Sequence, residues 1–116
     1  MCIFCKIVNG EIPSNKVYED DNFLAFYDIS GMTKGHTLVI PKKHFDNIFE
    51  LDDETAAKLF VLVKDLSKKF KEDPEVLGVN IVNNNGEVAG QTVKHIHIHI
   101  IPRYKDDNFD LKFEKK

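Results

Sequence analysis

The sequence has 116 residues, of which 42% are hydrophobic and 30% charged, and its 16 Lys and Arg against 19 Asp and Glu leave a net charge of −3. This length fits one domain with a substantial core, and the mild acidity argues against a dedicated nucleic-acid or membrane-surface binder, because both need a basic surface. The sequence has no apolar run of the roughly 20 residues that span a membrane and no secretory signal pattern, so we expect a cytoplasmic protein.

The predicted elements begin with a short helix over 3–8, ended by Asn9-Gly10, and strands over 16–19 and 23–28. A third strand over 36–40 is expected to stop at Pro41. A long helix over 53–71 carries an apolar stripe at helical spacing, formed by Ala56, Leu59, Phe60, Val63, Leu66 and Phe70. Strands over 77–82 and 93–101 follow, the last one ending at Pro102. This pattern predicts an α+β fold with a five-stranded antiparallel sheet, residues 1–105 forming the domain and 106–116 a C-terminal tail.

Cys2 and Cys5 form a C-x-x-C pair near the first predicted helix. A structural disulfide is not expected in a reducing compartment, and the pair lacks the preceding strand of a thioredoxin-like motif. The spacing alone leaves two interpretations open, metal ligands or two inert thiols.

Histidines and isoleucines alternate in the last predicted strand, as His95, Ile96, His97, Ile98, His99 and Ile100. Because successive strand residues point to opposite faces, we expect the isoleucines in the core and the imidazoles together on the other face. Neighbouring imidazoles then stand about 6.5 Å apart, so one metal ion could bind two of them but not all three without distortion. The strict alternation argues against an ordinary polar face and leaves two interpretations: a metal site that uses two of the histidines, or metal-free catalysis with one imidazole as nucleophile and another as general acid. The residues that precede the strand favour the metal-free interpretation.

A polar, glycine-bearing loop over 83–92 precedes this strand. Glycine permits close backbone approach, and free amides there, with the side chains of Asn84, Gln91 and Thr92, can donate hydrogen bonds to a phosphate. Arg103 is the one arginine in the sequence, so neutral amides and imidazoles would have to stabilise negative charge. Taken alone, the loop is equally typical of a surface turn; together with the histidines it predicts a phosphate pocket.

The segment GQTVKHIHIHII over 90–101 strongly resembles the signature of the histidine triad (HIT) family of nucleotide hydrolases and transferases. Further segments resemble other family blocks in family order: CIFCKIV over 2–8, EIPS over 11–14, AFYDI over 25–29 and GHTLVIPKKH over 35–44. The resemblance extends over residues 2–105 and implies a HIT-like fold with one long and one short helix.

By this resemblance, His97 attacks the α-phosphate of a nucleotide conjugate and forms a nucleotidyl-imidazole intermediate that water hydrolyses. His99 then contacts the phosphate and assists the leaving group, His36 supports the site, and Asp28 holds the ribose hydroxyls. The apolar purine pocket corresponds to Phe4, Ile7, Phe26 and Ile29, although ordinary core packing explains those residues equally well. The polar contacts around the phosphate correspond to Asn84, Gln91 and Thr92.

A subset of the family carries a structural zinc ion, bound by an N-terminal C-x-x-C pair, a histidine before the long helix and the first triad histidine. The corresponding residues here are Cys2, Cys5, His44 and His95, whose two thiolates and two imidazoles suit a closed tetrahedral site. Such a site would join the N-terminal segment to the sheet and stabilise the fold. The alternative is a metal-free protein with two free thiols. The resemblance also implies a homodimer.

The resemblance favours a purine nucleotide hydrolase, namely a nucleoside phosphoramidase that acts on AMP–amine conjugates. A dinucleoside polyphosphate hydrolase is the nearest alternative. Two further classes stay open: a nucleotide-binding regulatory protein with vestigial catalysis, and a zinc hydrolase that uses the triad as ligands.

Overall fold

The structure, a computed structural model, describes residues 2–111, and within them five antiparallel strands form one sheet in the order β1-β2-β3-β5-β4. The elements are α1 (Ile3–Val8), β1 (Lys16–Glu19), β2 (Phe23–Tyr27), β3 (Thr37–Pro41), α2 (Asp53–Phe70), β4 (Gly78–Val82) and β5 (Ile98–Arg103), with 3₁₀ turns at Ile48–Glu50 and Glu87–Ala89. The predicted α+β class, with five strands, one long helix and one short helix, is confirmed.

Helix α2 begins and ends where its sequence indicates. The Asp52 side chain caps the first turn by accepting a hydrogen bond from the backbone N–H of Thr55 at 3.0 Å, which satisfies a donor that has no partner within the helix. The buried face consists of Leu59, Leu62, Val63 and Leu66. The sequence predicts Phe60 in this buried stripe, but its side chain is 42% exposed. Leu62, instead of Phe60, lies on the side of the helix that meets the sheet. None of the helices within residues 2–111 has the length and apolar composition to cross a bilayer.

Each face of the sheet packs against a different helix. One face places Phe23, Ala25, Val39, Ile98 and Ile100 against α2. The other face places Leu24, Phe26, Leu38 and Ile40 around Phe4 of α1. Because strand residues alternate between faces, Ile98 and Ile100 lie in the core on the α2 side, in agreement with their predicted burial, and His97 and His99 belong to the α1 side.

Two predicted strand limits are wrong, and both errors involve proline. Pro41 pairs with Phe23 and is the last residue of β3, whereas Pro102 pairs with Val79 and β5 continues to Arg103, so neither strand stops before its proline. Proline lacks a backbone N–H and is tolerated where one neighbouring ladder has ended. The ladder between β3 and β5 extends only from Val39–Ile98 to Thr37–Ile100, so both prolines lie beyond it.

The last strand also begins later than predicted, at Ile98 instead of residue 93. Residues 93–95 form a bend, and the backbone N–H of Ile96 donates to the carbonyl of Phe45 at 2.8 Å. Consequently His95 and His97 precede the regular ladder, and His95 Nε2 lies 2.8 Å from the carbonyl oxygen of Pro41 at the end of β3. The predicted C-terminal tail has no strand within its described part, residues 106–111, and residues 112–116 lie outside the described residues.

Candidate active site

His97 is buried between α1 and the sheet, with 5% of its surface exposed. Its ring meets the Phe4 ring edge-on, at 5.1 Å between centroids, and the His99 ring at the same separation. His97 Nδ1 lies 2.8 Å from the backbone carbonyl oxygen of His95. A carbonyl only accepts hydrogen bonds, so Nδ1 carries the proton and Nε2 of neutral His97 keeps an available lone pair.

His99 and His36 form a hydrogen-bonded pair beside His97. His36 Nε2 lies 3.0 Å from His99 Nδ1, while the Asp28 carboxylate is 4.0 Å from the same His36 nitrogen. The backbone N–H of Met32 donates to His36 Nδ1 at 2.9 Å. The structure therefore brings together the three residues predicted as catalytic: His36 directly precedes β3, and the other two come from the segment that leads into and forms β5.

Burial favours the neutral form of these imidazoles. Loss of solvation lowers the pKa of His36 and of His97, in both cases against a smaller opposing effect of Asp28. Burial, with the nearby rings of His97 and His36, lowers the pKa of His99 from 6.5 to about 4. A neutral imidazole is the nucleophilic form, so the environment favours His97 in the state that can attack an electrophile.

An apolar cavity of about 500 Å³ opens between α1, the following loop and the end of β2. It contains all the residues predicted for the purine and ribose: Phe4, Ile7, Phe26, Asp28 and Ile29. Phe4 connects this cavity to the histidines, because its ring also contacts His97. Ile29 is 95% exposed at the cavity rim, so a bound ring system could cover it.

Asp28 occupies the polar end of the cavity, where its carboxylate also organises the loop between β2 and β3. Its Oδ1 accepts hydrogen bonds from the N–H of Ser30 at 3.0 Å and from the Ser30 hydroxyl at 3.1 Å. Oδ2 lies near His36 and leaves capacity to accept from a ligand hydroxyl. This placement is compatible with the predicted ribose contact, which stays a prediction.

The glycine-bearing loop before β5 differs in part from its predicted role. Gly86 and Gly90 adopt φ of +96° and +94°, a region that glycine enters without strain. The Gln91 side chain is buried and accepts from the Gly86 N–H while donating to the carbonyls of Asp46 and Val93. Both ends of this amide are thus used within the protein, and Gln91 shapes the loop instead of presenting a free donor to phosphate.

Asn84 and Thr92 are the other two residues of this loop that were predicted to contact the phosphate. Within residues 2–111, no contact joins either side chain to the histidine rings. Asn84 is half-buried and its amide approaches the Gly90 carbonyl at 3.5 Å. Thr92 is exposed. The sequence did not predict one contact from this loop, that of Asn83. Its side-chain amide donates to the His97 carbonyl at 3.1 Å and so holds the backbone of the central histidine.

A second cluster lies on the other side of Phe4 and contains the four predicted metal ligands, Cys2, Cys5, His44 and His95. One ligand atom from each lies within 4.8 Å of all the others. The Sγ atoms are 3.1 Å apart, and the distances from Sγ to Nδ1 range from 3.2 to 3.6 Å. A tetrahedron with zinc–sulfur and zinc–nitrogen bonds has edges of roughly 3.3–3.8 Å. The separations here are somewhat shorter, that between the sulfur atoms most of all, so a small movement of the side chains lets this donor set hold a zinc ion.

The surroundings of the two histidines prepare them as ligands. His95 Nε2 donates to the Pro41 carbonyl at 2.8 Å, and His44 Nε2 donates to the Asp46 carboxylate at 2.7 Å. Each Nδ1 is therefore the unprotonated nitrogen, turned towards the thiols, which is the arrangement typical of metal-ligating histidines. The hydrogen bond to Asp46 raises the pKa of His44, whereas burial lowers the pKa of His95.

Sequence reasoning missed several residues of the site. Asp46 and Pro41, which orient the metal-site histidines, carry no motif of their own, and Met32 acts through its backbone. The remaining cavity residues are Ile3, Ile12, Pro13, Ser14, Asn15, Tyr27 and Leu38. Ile3 could have been found, because it shares a helical face with Ile7 at a spacing of four.

Comparison with known proteins agrees with this geometry. The HIT domain family matches residues 9–106. The protein named "Protein hit" of Bacillus subtilis is 57% identical over 109 residues, which is 93% of this chain and 75% of that protein. An adenosine 5′-monophosphoramidase of Schizosaccharomyces pombe is 47% identical over 106 residues, covering 91% of this chain and 77% of that protein.

Structural similarity extends over the whole fold. The crystal structure of a zinc-bound histidine triad family protein from Mycobacterium smegmatis superposes with a TM-score of 0.89 at 39% identity, covering 99% of this chain and 84% of that one. The histidines in and before β5, the apolar cavity and the match of the HIT domain to residues 9–106 all agree. The chain belongs to the HIT family.

Proposed function

We propose that this protein is a nucleotide hydrolase that cleaves purine nucleotide conjugates at the α-phosphate, with AMP–amine phosphoramidates as the preferred substrate class. The observation that carries the proposal is the tautomer of His97, whose Nδ1 proton is committed to the His95 carbonyl at 2.8 Å. Its Nε2 lone pair is therefore available, and the ring lies against both Phe4, which lines the apolar cavity, and the second imidazole, His99. The phosphoramidase named among the relatives supports the choice of substrate.

In the first step, the lone pair on His97 Nε2 forms a bond to the α-phosphorus as the bond from phosphorus to the leaving nitrogen breaks. The leaving amine takes a proton from solvent water, and the new imidazolium keeps its Nδ1 proton, stabilised by the His95 carbonyl. In the second step, the hydroxide so formed attacks phosphorus, releases AMP and restores neutral His97. Dividing the displacement into two steps lowers the barrier of each.

His99 contributes a hydrogen-bond donor to this reaction. Since its pKa is lowered to about 4, it stays neutral near pH 7 and still carries one ring proton. We assign that N–H to the phosphate oxygens or the leaving atom, where charge develops. A preorganised donor in a site that excludes water stabilises such charge more than the same donor does in bulk water.

The cavity supplies substrate binding. A purine ring placed against Phe4 and Phe26 would bury apolar surface, while the ribose hydroxyls would donate to Asp28. The cavity volume of about 500 Å³ lies within the range of small-molecule sites. The phosphate then lies at the end of the cavity nearest to His97.

We also propose a structural zinc ion at Cys2, Cys5, His44 and His95. The ion would supply folding stability by joining α1 to the sheet, and it takes no part in proton transfer here. Elemental analysis of the purified protein is expected to give about one zinc per chain, from four-ligand site chemistry, and Cys5→Ser is expected to lose it. A protein that folds and stays metal-free in zinc-supplemented medium would contradict this proposal.

Trapping the intermediate tests the mechanism. The protein is mixed rapidly with adenosine 5′-phosphoramidate, quenched in base because imidazole–phosphorus bonds are acid-labile, and examined by intact mass and peptide mapping. We expect an adenylyl adduct on His97, absent from His97→Asn. Turnover without an adduct in repeated early time points, or an adduct on another residue, would overturn the assignment.

The substrate class is tested by comparing adenosine 5′-phosphoramidate with a diadenosine polyphosphate. We expect the higher kcat/KM with the phosphoramidate, and the reverse order would favour a dinucleoside polyphosphate hydrolase. A regulatory protein with vestigial catalysis would bind AMP and show the same rate for wild type and His97→Asn.

A homodimer and a cytoplasmic location complete the proposal. Phe60 and Val61 of α2 and Ile81 of β4 are exposed apolar side chains, which a second copy could cover. Light scattering after gel filtration is expected to give twice the chain mass. A reducing cytoplasm suits the free thiols of Cys2 and Cys5, and cell fractionation tests that location.

A further inference from the structure

The loop between β2 and β3 determines which nitrogen of His36 carries the proton. The backbone N–H of Met32 is 2.9 Å from His36 Nδ1. A backbone amide can only donate, so Nδ1 must accept. In a neutral imidazole one nitrogen accepts and the other donates, and the His36 proton therefore resides on Nε2.

The same logic continues to His99. His36 Nε2 is 3.0 Å from His99 Nδ1, a normal hydrogen-bond distance, whereas the nearest Asp28 oxygen is 4.0 Å away. His36 Nε2–H therefore donates to His99 Nδ1, which must be unprotonated. Neutral His99 consequently holds its own proton on Nε2, the ring nitrogen that this pairing leaves for substrate.

We propose that the backbone amide of Met32 is a positioning group that, through His36, fixes His99 in the tautomer with its proton on Nε2. That this proton takes part in a reaction rests on the proposed function. Its position on His99 Nε2 rests only on the hydrogen bonds described above. Protonating either imidazole would place two donors face to face, at Met32 or between the rings. The amide thus selects the neutral state as well as the tautomer.

The loop is built to hold this amide in place. The Asp28 N–H donates to the His36 carbonyl at 2.9 Å, and the Gly31 N–H donates to the Asp28 carbonyl at 3.0 Å. A Cβ on Gly31 would come within 2.7 Å of His36 Cβ, so the loop lies directly against the ring it positions. The Met32 side chain is 60% exposed, and the contact of this residue with His36 is made by its backbone N–H.

A metal ion is the competing occupant of this cluster, because ligand atoms of Asp28, His36 and His99 lie within 4.8 Å of one another. Binding there would need the lone pair of His36 Nε2. The Met32 amide places a proton on that nitrogen instead. The two alternatives therefore predict different tautomers for the same ring.

Nitrogen NMR of the imidazole rings tests the proposal without substrate. Long-range ¹H–¹⁵N spectra of the full protein distinguish the two neutral tautomers, and we expect His36 and His99 both to be protonated on Nε2. Protonation of His36 on Nδ1, or a position averaged between the two nitrogens, would overturn it. This result does not depend on whether the protein hydrolyses any nucleotide.

Met32→Pro removes the amide proton, and Met32→Ala is the matched variant that keeps it. We expect Met32→Ala to retain the single tautomer and Met32→Pro to show averaging at both rings. With a turned-over substrate, kcat of Met32→Pro should fall about fivefold or more below that of Met32→Ala, the factor for one neutral hydrogen bond, at similar KM. Unchanged tautomers in Met32→Pro would refute the proposal.

Should Met32→Pro not fold, Gly31→Ala provides the second variant, because its added Cβ displaces the loop from His36. Tautomer averaging is expected there too, and a wild-type spectrum in folded Gly31→Ala would refute the role of the loop. If the tautomers behave as expected while no protein turns over phosphoramidates, the positioning inference holds and the proposed function fails.

Discussion

Acidification should destabilise the protein through His99 in a calculable way. Its pKa is about 4 in the folded protein against 6.5 ordinarily, so between these values the unfolded chain binds more protons. The resulting stability is fully present above pH 6.5 and is lost as pH falls towards 4. From the linkage relation, His99 alone contributes a loss of about 2 kcal/mol between pH 7 and pH 5, approaching roughly 3 kcal/mol at lower pH.

Urea denaturation of wild type and His99→Gln at pH 7 and pH 5 measures this contribution. The other titrating groups, including the thiol and imidazole cluster, are common to both proteins, so the difference between the two pH dependences isolates His99 and its coupling to His97 and His36. We expect the free energy of unfolding of His99→Gln to fall by about 2 kcal/mol less than that of wild type. Equal pH dependences would show that His99 is not held neutral by its surroundings.

Three further substitutions test separate parts of the site. Phe4→Ala removes a buried ring between the cavity and His97, so we expect a loss of about 3–5 kcal/mol in urea denaturation and a raised KM; unchanged KM would contradict a base-binding role. Asp28→Asn should weaken binding of AMP about tenfold, from the loss of charge-assisted hydrogen bonds, and weaken 2′,3′-dideoxy-AMP little, as calorimetry can show. Gln91→Leu leaves the Gly86 N–H without its partner, so we expect about 1–3 kcal/mol of destabilisation; normal stability with a raised KM would restore Gln91 as a phosphate ligand.

The parts of the fold that depend on local pattern were predictable. Alternation in the histidine segment assigned Ile98 and Ile100 to the core correctly, because strand geometry dictates it. The apolar spacing located α2 to within a residue of its end. Proline behaved differently, since its place in a strand depends on how far the neighbouring ladders extend, and a single segment does not contain that information.

The site was predictable only in its side chains. The C-x-x-C spacing alone left metal ligands and inert thiols open, and the full ligand set was proposed from the family resemblance, because Cys2 and His95 are 93 positions apart and no local pattern joins them. The Met32 amide has no such signature, because every residue except proline has a backbone N–H. The commitment of Gln91 to its own loop also depends on where the Asp46 and Val93 carbonyls lie in three dimensions.

Phe4 lies between two cysteines in a helix of six residues, which is too short to persist in water without tertiary contacts. Whatever anchors that helix therefore also places the aromatic wall of the cavity that we propose for the nucleoside. By thermodynamic reciprocity, an ion that tightens the protein's hold on a nucleoside must itself be held more tightly once the nucleoside is bound. The affinity for the metal ion and the affinity for the nucleotide would then be coupled through the position of the Phe4 ring.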